Sequence, residues 1–293
     1  MSPNRSPLRI AHLSDLHFSK ITFHPKQFFS KQWIGNWNLI LFRRNRYQTE
    51  HLFHIPELLK QLDVEVVCIT GDVATTSQDN EFQLAKTYLA LFRSHDLPFY
   101  LVPGNHDFYT TKSSKTKAFY NFFPSPALKA KKVMQAELGK GWFYVGLDCA
   151  VATPWFQSYG IFSHEIENEL DNMLREIPSE GRVILANHFP LFSTGRAMHD
   201  LQGCERLQQL ILRFPQVKLY LHGHDHKPYI VDRRDEGYPL VLNSGSCAHS
   251  PDGTFYLLDL SEKSCLVEQF YYLKEADKIS WVIRWQKSYA HLR

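Results

Sequence analysis

With 293 residues, 44% of them hydrophobic, and a formal charge of only +3, this chain can bury a full core and reads as globular. No window approaches ~18 uninterrupted apolar residues, which excludes a membrane-spanning helix, and the polar stretch Met1–Pro7 lacks the apolar core of a secretion signal. Five scattered cysteines (Cys68, Cys149, Cys204, Cys247 and Cys265) with no CxxC pair argue against a cysteine zinc site and fit a reducing, cytoplasmic compartment.

In chain order, residues 1–7 read as a short disordered lead-in, followed by an apolar run that ends in Ser14-Asp15-Leu16-His17. Residues 21–47 form an insertion that mixes Phe23, Phe28, Phe29, Trp33, Trp37, Phe42 and Tyr47 with Lys26, Lys31, Arg43, Arg44 and Arg46. Apolar residues at Leu52, Ile55, Leu59 and Leu62 predict a helix over 49–62. A strand ending in Thr70-Gly71-Asp72 comes next, then a helix over 81–94 and a strand over 98–102 ending in Pro103-Gly104-Asn105-His106-Asp107. Residues 109–141 hold seven lysines against the single acid Glu137, broken by Pro124-Ser125-Pro126. Beyond them lie a strand over 142–148, a helix capped by Ser163, the run Val183–Ala186 leading to Asn187-His188, and a helix over 204–214. The fifth run, Leu219–Leu221, delivers His222-Gly223-His224-Asp225-His226. Strands over 229–233, 239–243, 254–260, 265–273 and 279–285 complete the chain. Alternating strands and helices followed by antiparallel strands suit two mixed sheets face to face with helices outside. No linker marks a boundary, so 1–293 reads as a single domain.

Five short apolar runs ending in Asp, Asn or His imply side chains delivered to one edge of a central sheet. Asp15 and His17, like His224 and His226, are two residues apart, which on an extended strand puts each pair on one side. Asp72 adds a carboxylate able to bridge two cations, Asn105 an amide oxygen and His188 an imidazole. Such mixed ligation favours Mn²⁺, Fe²⁺/Fe³⁺ or Zn²⁺ over Ca²⁺. Two cations ~3.5–4 Å apart would clamp a phosphoryl group and lower the pKa of bound water. His106 is then left over to face substrate beside Asn105, with Asp107 to orient its ring. Gly71, Gly104 and Gly223 precede Asp72, Asn105 and His224, where backbone must turn close to the metals.

Asp15-x-His17, Gly71-Asp72, Gly104-Asn105-His106-Asp107, His188 and Gly223-His224-x-His226 together resemble, in order, the motifs of the calcineurin-like metallophosphoesterases. The span from Trp155 to Pro190 and the helix after Asp200 look most similar to the bacterial cyclic-nucleotide phosphodiesterase branch. That branch often has a second His where this chain has Asn187. The resemblance implies a four-layer α/β/β/α sandwich of two mixed β-sheets flanked by helices. It also implies a dinuclear site, with Asp15, His17 and His226 on one metal, Asn105, His188 and His224 on the other, and Asp72 between them. The expected activity is hydrolysis of a phosphodiester or related ester, cyclic-nucleotide-like, by metal-bound water, with catalytic His106 and Asp107 and substrate contacts at Asn105 and His106. The alternative is a UDP-diacylglucosamine type of pyrophosphatase, whose lipid-linked substrate would give residues 21–47 a role at an anionic membrane surface. A non-catalytic scaffold is the third reading. No nucleic-acid-binding module is evident.

Overall fold

Each of the five apolar runs forms a strand, and the direction of those strands decides where their polar ends meet. The computed structural model describes residues 6–19, 49–154, 156–275 and 278–292. The aromatic and basic segment 21–47, with the membrane contact expected of it, lies outside these residues, as do Trp155 and all of the lead-in except Ser6 and Pro7.

The first sheet contains β1 (Leu8–Leu13), β2 (Val66–Ile69) and β3 (Phe99–Leu101), which run parallel. The second contains β4 (Val133–Gly139), β5 (Trp142–Leu147), β7 (Arg182–Ala186) and β9 (Val217–His222), of which β5, β7 and β9 are parallel. The strands β6 (Gly160–Ile161) and β8 (Leu201–Gln202) form a separate short parallel pair. The remaining strands are β10 (Pro228–Val231), β11 (Leu240–Ser244), β12 (Thr254–Leu260), β13 (Ser264–Glu275) and β14 (Lys278–Ala290). The two main sheets are ordered β14-β13-β12-β1-β2-β3 and β10-β11-β9-β7-β5-β4. The first is parallel from β1 to its β3 edge and antiparallel through β12, β13 and β14. The second has a parallel centre and antiparallel edges at β10 and β4. β1, β2 and β3 therefore share a carboxyl end, and so do β7 and β9.

The inner faces meet through Ile10, Cys68, Tyr256 and Leu258 on one sheet and Tyr144, Ile184, Leu219 and Leu242 on the other. Outside, the helix Asp79–Ser94 buries Phe82, Ala85, Leu89 and Phe92, the helical spacing of a one-sided stripe. Glu81 in its first turn ties down the entering chain, its carboxylate accepting the N–H groups of Thr76 (2.7 Å) and of the N-cap Gln78 (3.2 Å). The helix His164–Glu176 buries Ile166, Leu170 and Leu174, and Ser163 Oγ caps it by accepting from the N–H of Ile166. The helix Cys204–Arg213 buries Leu207, Leu210 and Ile211. Helix, sheet, sheet and helix make the expected four layers.

Two segments differ from their sequence reading. The helix expected over 49–62 is a 3₁₀ turn, Glu50–His54, leading into an α-helix, Ile55–Gln61. Pro56 has no N–H to extend a helix through itself and sits in the first turn, where none is needed. The lysine-rich stretch 109–141 folds as three short helices, Thr111–Lys115, Ala118–Phe122 and Pro126–Lys131, and ends in β4. Phe119, Tyr120, Leu128 and Val133 are buried within it, and Lys132 reaches back to the buried carboxylate of Asp148 (2.5 Å).

Candidate metal centre

The loops that follow β1 and β2 run side by side, joined by hydrogen bonds from the N–H of Asp15 to the Gly71 carbonyl (3.1 Å) and from that of His17 to the Asp72 carbonyl (2.9 Å). This pairing brings Asp15, His17 and Asp72 together beyond the strands. The expectation that Asp15 and His17 share one side of an extended strand is corrected here. β1 stops at Leu13, and Asp15 (φ 54°) and His17 (φ 44°) both adopt left-handed backbone. The same holds for His224 (φ 76°) and His226 (φ 58°) beyond β9, and for Asp72 (φ 52°). Five non-glycine residues in that region, each costing roughly 1–3 kcal/mol, mark a site whose surroundings over-determine the backbone.

The seven expected ligands converge. The Nε2 atoms of His17 and His226 stand 2.9 Å apart, and Asp15 Oδ1 lies 3.0 Å from that of His226 and 3.5 Å from that of His17. Asp72 Oδ2 lies 4.0 Å from His17 Nε2 on one side and 3.3 Å from His188 Nε2 on the other. Asn105 Oδ1 closes the far end, 3.1 Å from His188 Nε2 and 2.9 Å from His224 Nδ1. One ligand atom from each of Asp15, His17, Asp72 and His226 lies within 4.8 Å of every other.

Crowding of this kind suits a cation better than hydrogen bonds. Asp15 Oδ1 and Asp72 Oδ2 are buried oxygens with no hydrogen-bond partner among the described residues, although imidazole nitrogens face both. Bonds of ~2.1 Å at 90–109° hold neighbouring ligand atoms about 3.0–3.4 Å apart, close to most of the separations observed. The charge state agrees. Burial alone would lower the His188 imidazole, but the carboxylates of Asp72 and Asp15 outweigh it and push it up to about 9. Burial would likewise raise the Asp15 carboxyl, yet His226 and His17 hold it well below its ordinary value. The cluster thus carries negative charge that recruits a proton, and it is able to hold metal.

Glycines give the loops room to approach. A methyl group on Gly104 would lie 2.2 Å from Asp72 Oδ1, and one on Gly223 would lie 1.8 Å from Ser14 Oγ. Asn187, where the resemblance departs from the phosphodiesterase branch, is buried; its amide donates to the Tyr220 hydroxyl and its Oδ1 accepts from the N–H of His188.

Asp107 does not take the place expected of it. Its carboxylate accepts from the backbone N–H groups of Gly104 (2.9 Å), Ala74 (3.0 Å) and Val73 (3.4 Å), fastening the β2 and β3 loops together. The partner that orients the His106 ring is the Thr75 carbonyl, 2.6 Å from Nδ1. That contact fixes a proton on Nδ1. His106 also lies edge-on to His17 and stacks on Tyr109.

Asp72, Asn105, His106, His224 and His226 open onto a cavity of about 250 Å³. Among the described residues its other walls are Ser158, Arg196, His199 and Asp225, none of them anticipated. Ser158 Oγ meets His199 Nδ1 at 2.5 Å, and the His199 carbonyl accepts from His224 Nε2 (2.9 Å). Asp225 carried a signal, since it lies between two expected ligands; the others sit on irregular loops that announce nothing.

Comparison with known proteins agrees with this geometry. A family model described as calcineurin-like phosphoesterase matches residues 8–228. The 3',5'-cyclic adenosine monophosphate phosphodiesterase CpdA of Haemophilus influenzae is 25% identical over 215 residues, covering 69% of this chain and 71% of that protein. The probable glycerophosphodiester phosphodiesterase GpdQ of Arcobacter nitrofigilis is 29% identical over 182 residues, or 60% of this chain and 61% of that one. A dimetal phosphatase from Danio rerio shares the fold with a TM-score of 0.68 at 13% identity, over 90% of this chain and 96% of its own.

Proposed function

The chain belongs to the calcineurin-like phosphoesterase family, and from that membership and its cluster of ligand atoms we propose that it hydrolyses a small phosphodiester of the cyclic-nucleotide kind. It is a metal-dependent phosphohydrolase. Asp15, His17 and His226 would hold one ion and Asn105, His188 and His224 a second, with Asp72 between them; Mn²⁺, Fe²⁺/Fe³⁺ and Zn²⁺ suit this donor set. The observation that carries the reading is the close approach of these seven side chains around two buried, unsatisfied carboxylate oxygens. Ions held there supply positive charge for the phosphoryl oxygens and activate water for attack.

The chain's own groups do the rest. The His106 ring, anchored through Nδ1, presents Nε2 to hold a phosphoryl oxygen or pass a proton to the leaving oxygen. Asn105 lines the same cavity and offers its amide to the substrate. A cavity of about 250 Å³ takes a phosphate and a small organic arm. The names of two relatives, a cyclic AMP phosphodiesterase and a probable glycerophosphodiester phosphodiesterase, support a diester. Five buried cysteines, none in a disulfide, support a reducing compartment, and no helix among the described residues is long and apolar enough to cross a membrane.

Protein loaded separately with Mn²⁺, Fe²⁺ or Zn²⁺ should cleave bis(p-nitrophenyl) phosphate and 3',5'-cyclic nucleotides faster than p-nitrophenyl phosphate. Turnover confined to monoesters, or to nucleotide-linked lipid pyrophosphates, would overturn the substrate assignment.

A further inference from the structure

Among the described residues lining the metal-side cavity, Arg196 is the one lysine or arginine. Its side chain is 60% exposed, which by itself would suggest a solvated loop residue. Its bracing says otherwise. Nη2 pairs with Asp225 Oδ1 at 3.0 Å, and the Asp225 carboxylate is 9% exposed. The other oxygen of Asp225 accepts from the Tyr229 hydroxyl (2.8 Å) and the Asn243 amide (3.4 Å), and that amide also donates to the Gly223 carbonyl (2.9 Å). A chain of polar contacts therefore ties the guanidinium to the backbone beside His224.

The loop that carries Arg196 is held from its other side too. Asp200 accepts from Ser193 Oγ (2.6 Å), Thr194 N (3.0 Å) and Thr194 Oγ1 (2.6 Å), while the Arg196 carbonyl accepts from the N–H of His199 (2.7 Å). The Asp225 pair is the single side-chain contact of the Arg196 guanidinium among the described residues, so most of its five N–H donors remain available to the cavity. A planar fork fixed in position at the mouth of a phosphoester site matches the geometry of phosphate oxygens, and prior fixation reduces the entropy lost on binding.

We propose that Arg196 is a substrate-binding residue that grips a non-bridging oxygen of the phosphodiester in the cavity beside the metal cluster, with Asp225 and Tyr229 as its positioning residues. This rests on the reading of the cavity as the phosphoester site. It also gives the cavity a preference: an anionic phosphodiester forms an ion pair with the guanidinium, and a neutral phosphotriester does not.

The test is steady-state kinetics with bis(p-nitrophenyl) phosphate on manganese-loaded wild type, Arg196→Ala, Arg196→Lys and Tyr229→Phe, with metal content measured in parallel. Arg196→Ala should raise KM by about 10- to 100-fold, the scale of one charge-assisted contact, with full metal content and kcat within about threefold. Arg196→Lys should recover part of the loss, and added guanidinium ion should lower the KM of Arg196→Ala, which a merely structural arginine would not permit. Tyr229→Phe should raise KM by a smaller factor in the same direction. A KM within twofold of wild type in Arg196→Ala, or loss of metal along with activity, overturns the assignment. Titration with inorganic phosphate separates the two readings. If wild type cleaves the diester while Arg196→Ala binds phosphate equally well, the clamp is wrong and the phosphoesterase reading stands. If wild type cleaves nothing yet binds phosphate in an Arg196-dependent way, the clamp stands and the activity is misassigned.

Discussion

Gly223→Ala places a methyl carbon 1.8 Å from Ser14 Oγ, 2.3 Å from Asp15 Oδ2 and 2.8 Å from Ser14 Cβ. Rotating the serine hydroxyl cannot relieve this, because its own Cβ is also too close, so backbone must shift. The atoms displaced are those that fix Asp15, whose Oδ2 accepts from Ser14 Oγ (2.6 Å) and from the N–H of His224 (3.1 Å). Overpacking of this kind costs about 1–3 kcal/mol. At roughly 2–4 °C per kcal/mol for a chain near this size, Tm should fall by several degrees. Loosening a group that supports a ligand should also weaken metal binding by about 10- to 100-fold. Thermal melts with and without Mn²⁺, plus a metal titration, measure both effects. Gly195→Ala is the control: its added carbon would meet nothing within 4 Å, and its φ of +80° costs only left-handed strain of about 1–2 kcal/mol, with no change in metal affinity. Wild-type metal affinity in Gly223→Ala would refute the view that close loop approach fixes Asp15.

Four further outcomes are expected. Asp72→Ala should abolish turnover and reduce metal content, read by elemental analysis of purified protein. His106→Ala should keep its metal but lose about 10²- to 10⁴-fold in kcat; unchanged kcat would remove its assigned role. Asp148→Ala strands the half-buried Lys132 ammonium and the buried Tyr120 hydroxyl, both 2.5 Å from the carboxylate, and should cost about 3 kcal/mol in urea unfolding. Burial holds His12 down to about 3 and lowers His51, so both stay neutral in the fold while the unfolded chain takes up their protons below about pH 6.5. Their contribution to stability is therefore complete above that pH and declines as pH falls below it, for His12 down to about 3, and a flat stability profile from pH 7.5 to 5 would contradict it.

Much of this fold is readable in the chain because its central strands are buried on both faces and so show as continuous apolar runs, as in Val66–Ile69 and Val183–Ala186. Helices with one apolar stripe, such as His164–Glu176, are equally plain. β4 is not, because Val133–Gly139 is an edge strand with alternating exposure and no apolar run to mark it. The pairing of β6 with β8, two residues each, is also invisible, since its register depends on loops already being in place. At the site, residue types and order point to the ligands, while the means of convergence escapes a period-two argument: left-handed backbone, not strand pleat, aims Asp15, His17, His224 and His226. Asp107 misleads for a related reason. Adjacency to His106 suggests a side-chain pair, but a 3₁₀ turn over Asn105–Phe108 sends its carboxylate to backbone donors instead. Arg196 and Ser158 reach the cavity by tertiary packing of irregular loops, which no local pattern encodes.

Asp15, His17, Asp72, His224 and His226 also make this architecture one in which sturdiness and chemistry pull apart. Tension held at five places persists only while selection for the reaction lasts. A descendant copy freed from that demand should change first at these five positions, towards glycine or asparagine, which tolerate the twist. Such a lineage would grow harder to melt as it fell silent, leaving an inert sandwich more robust than its working ancestor.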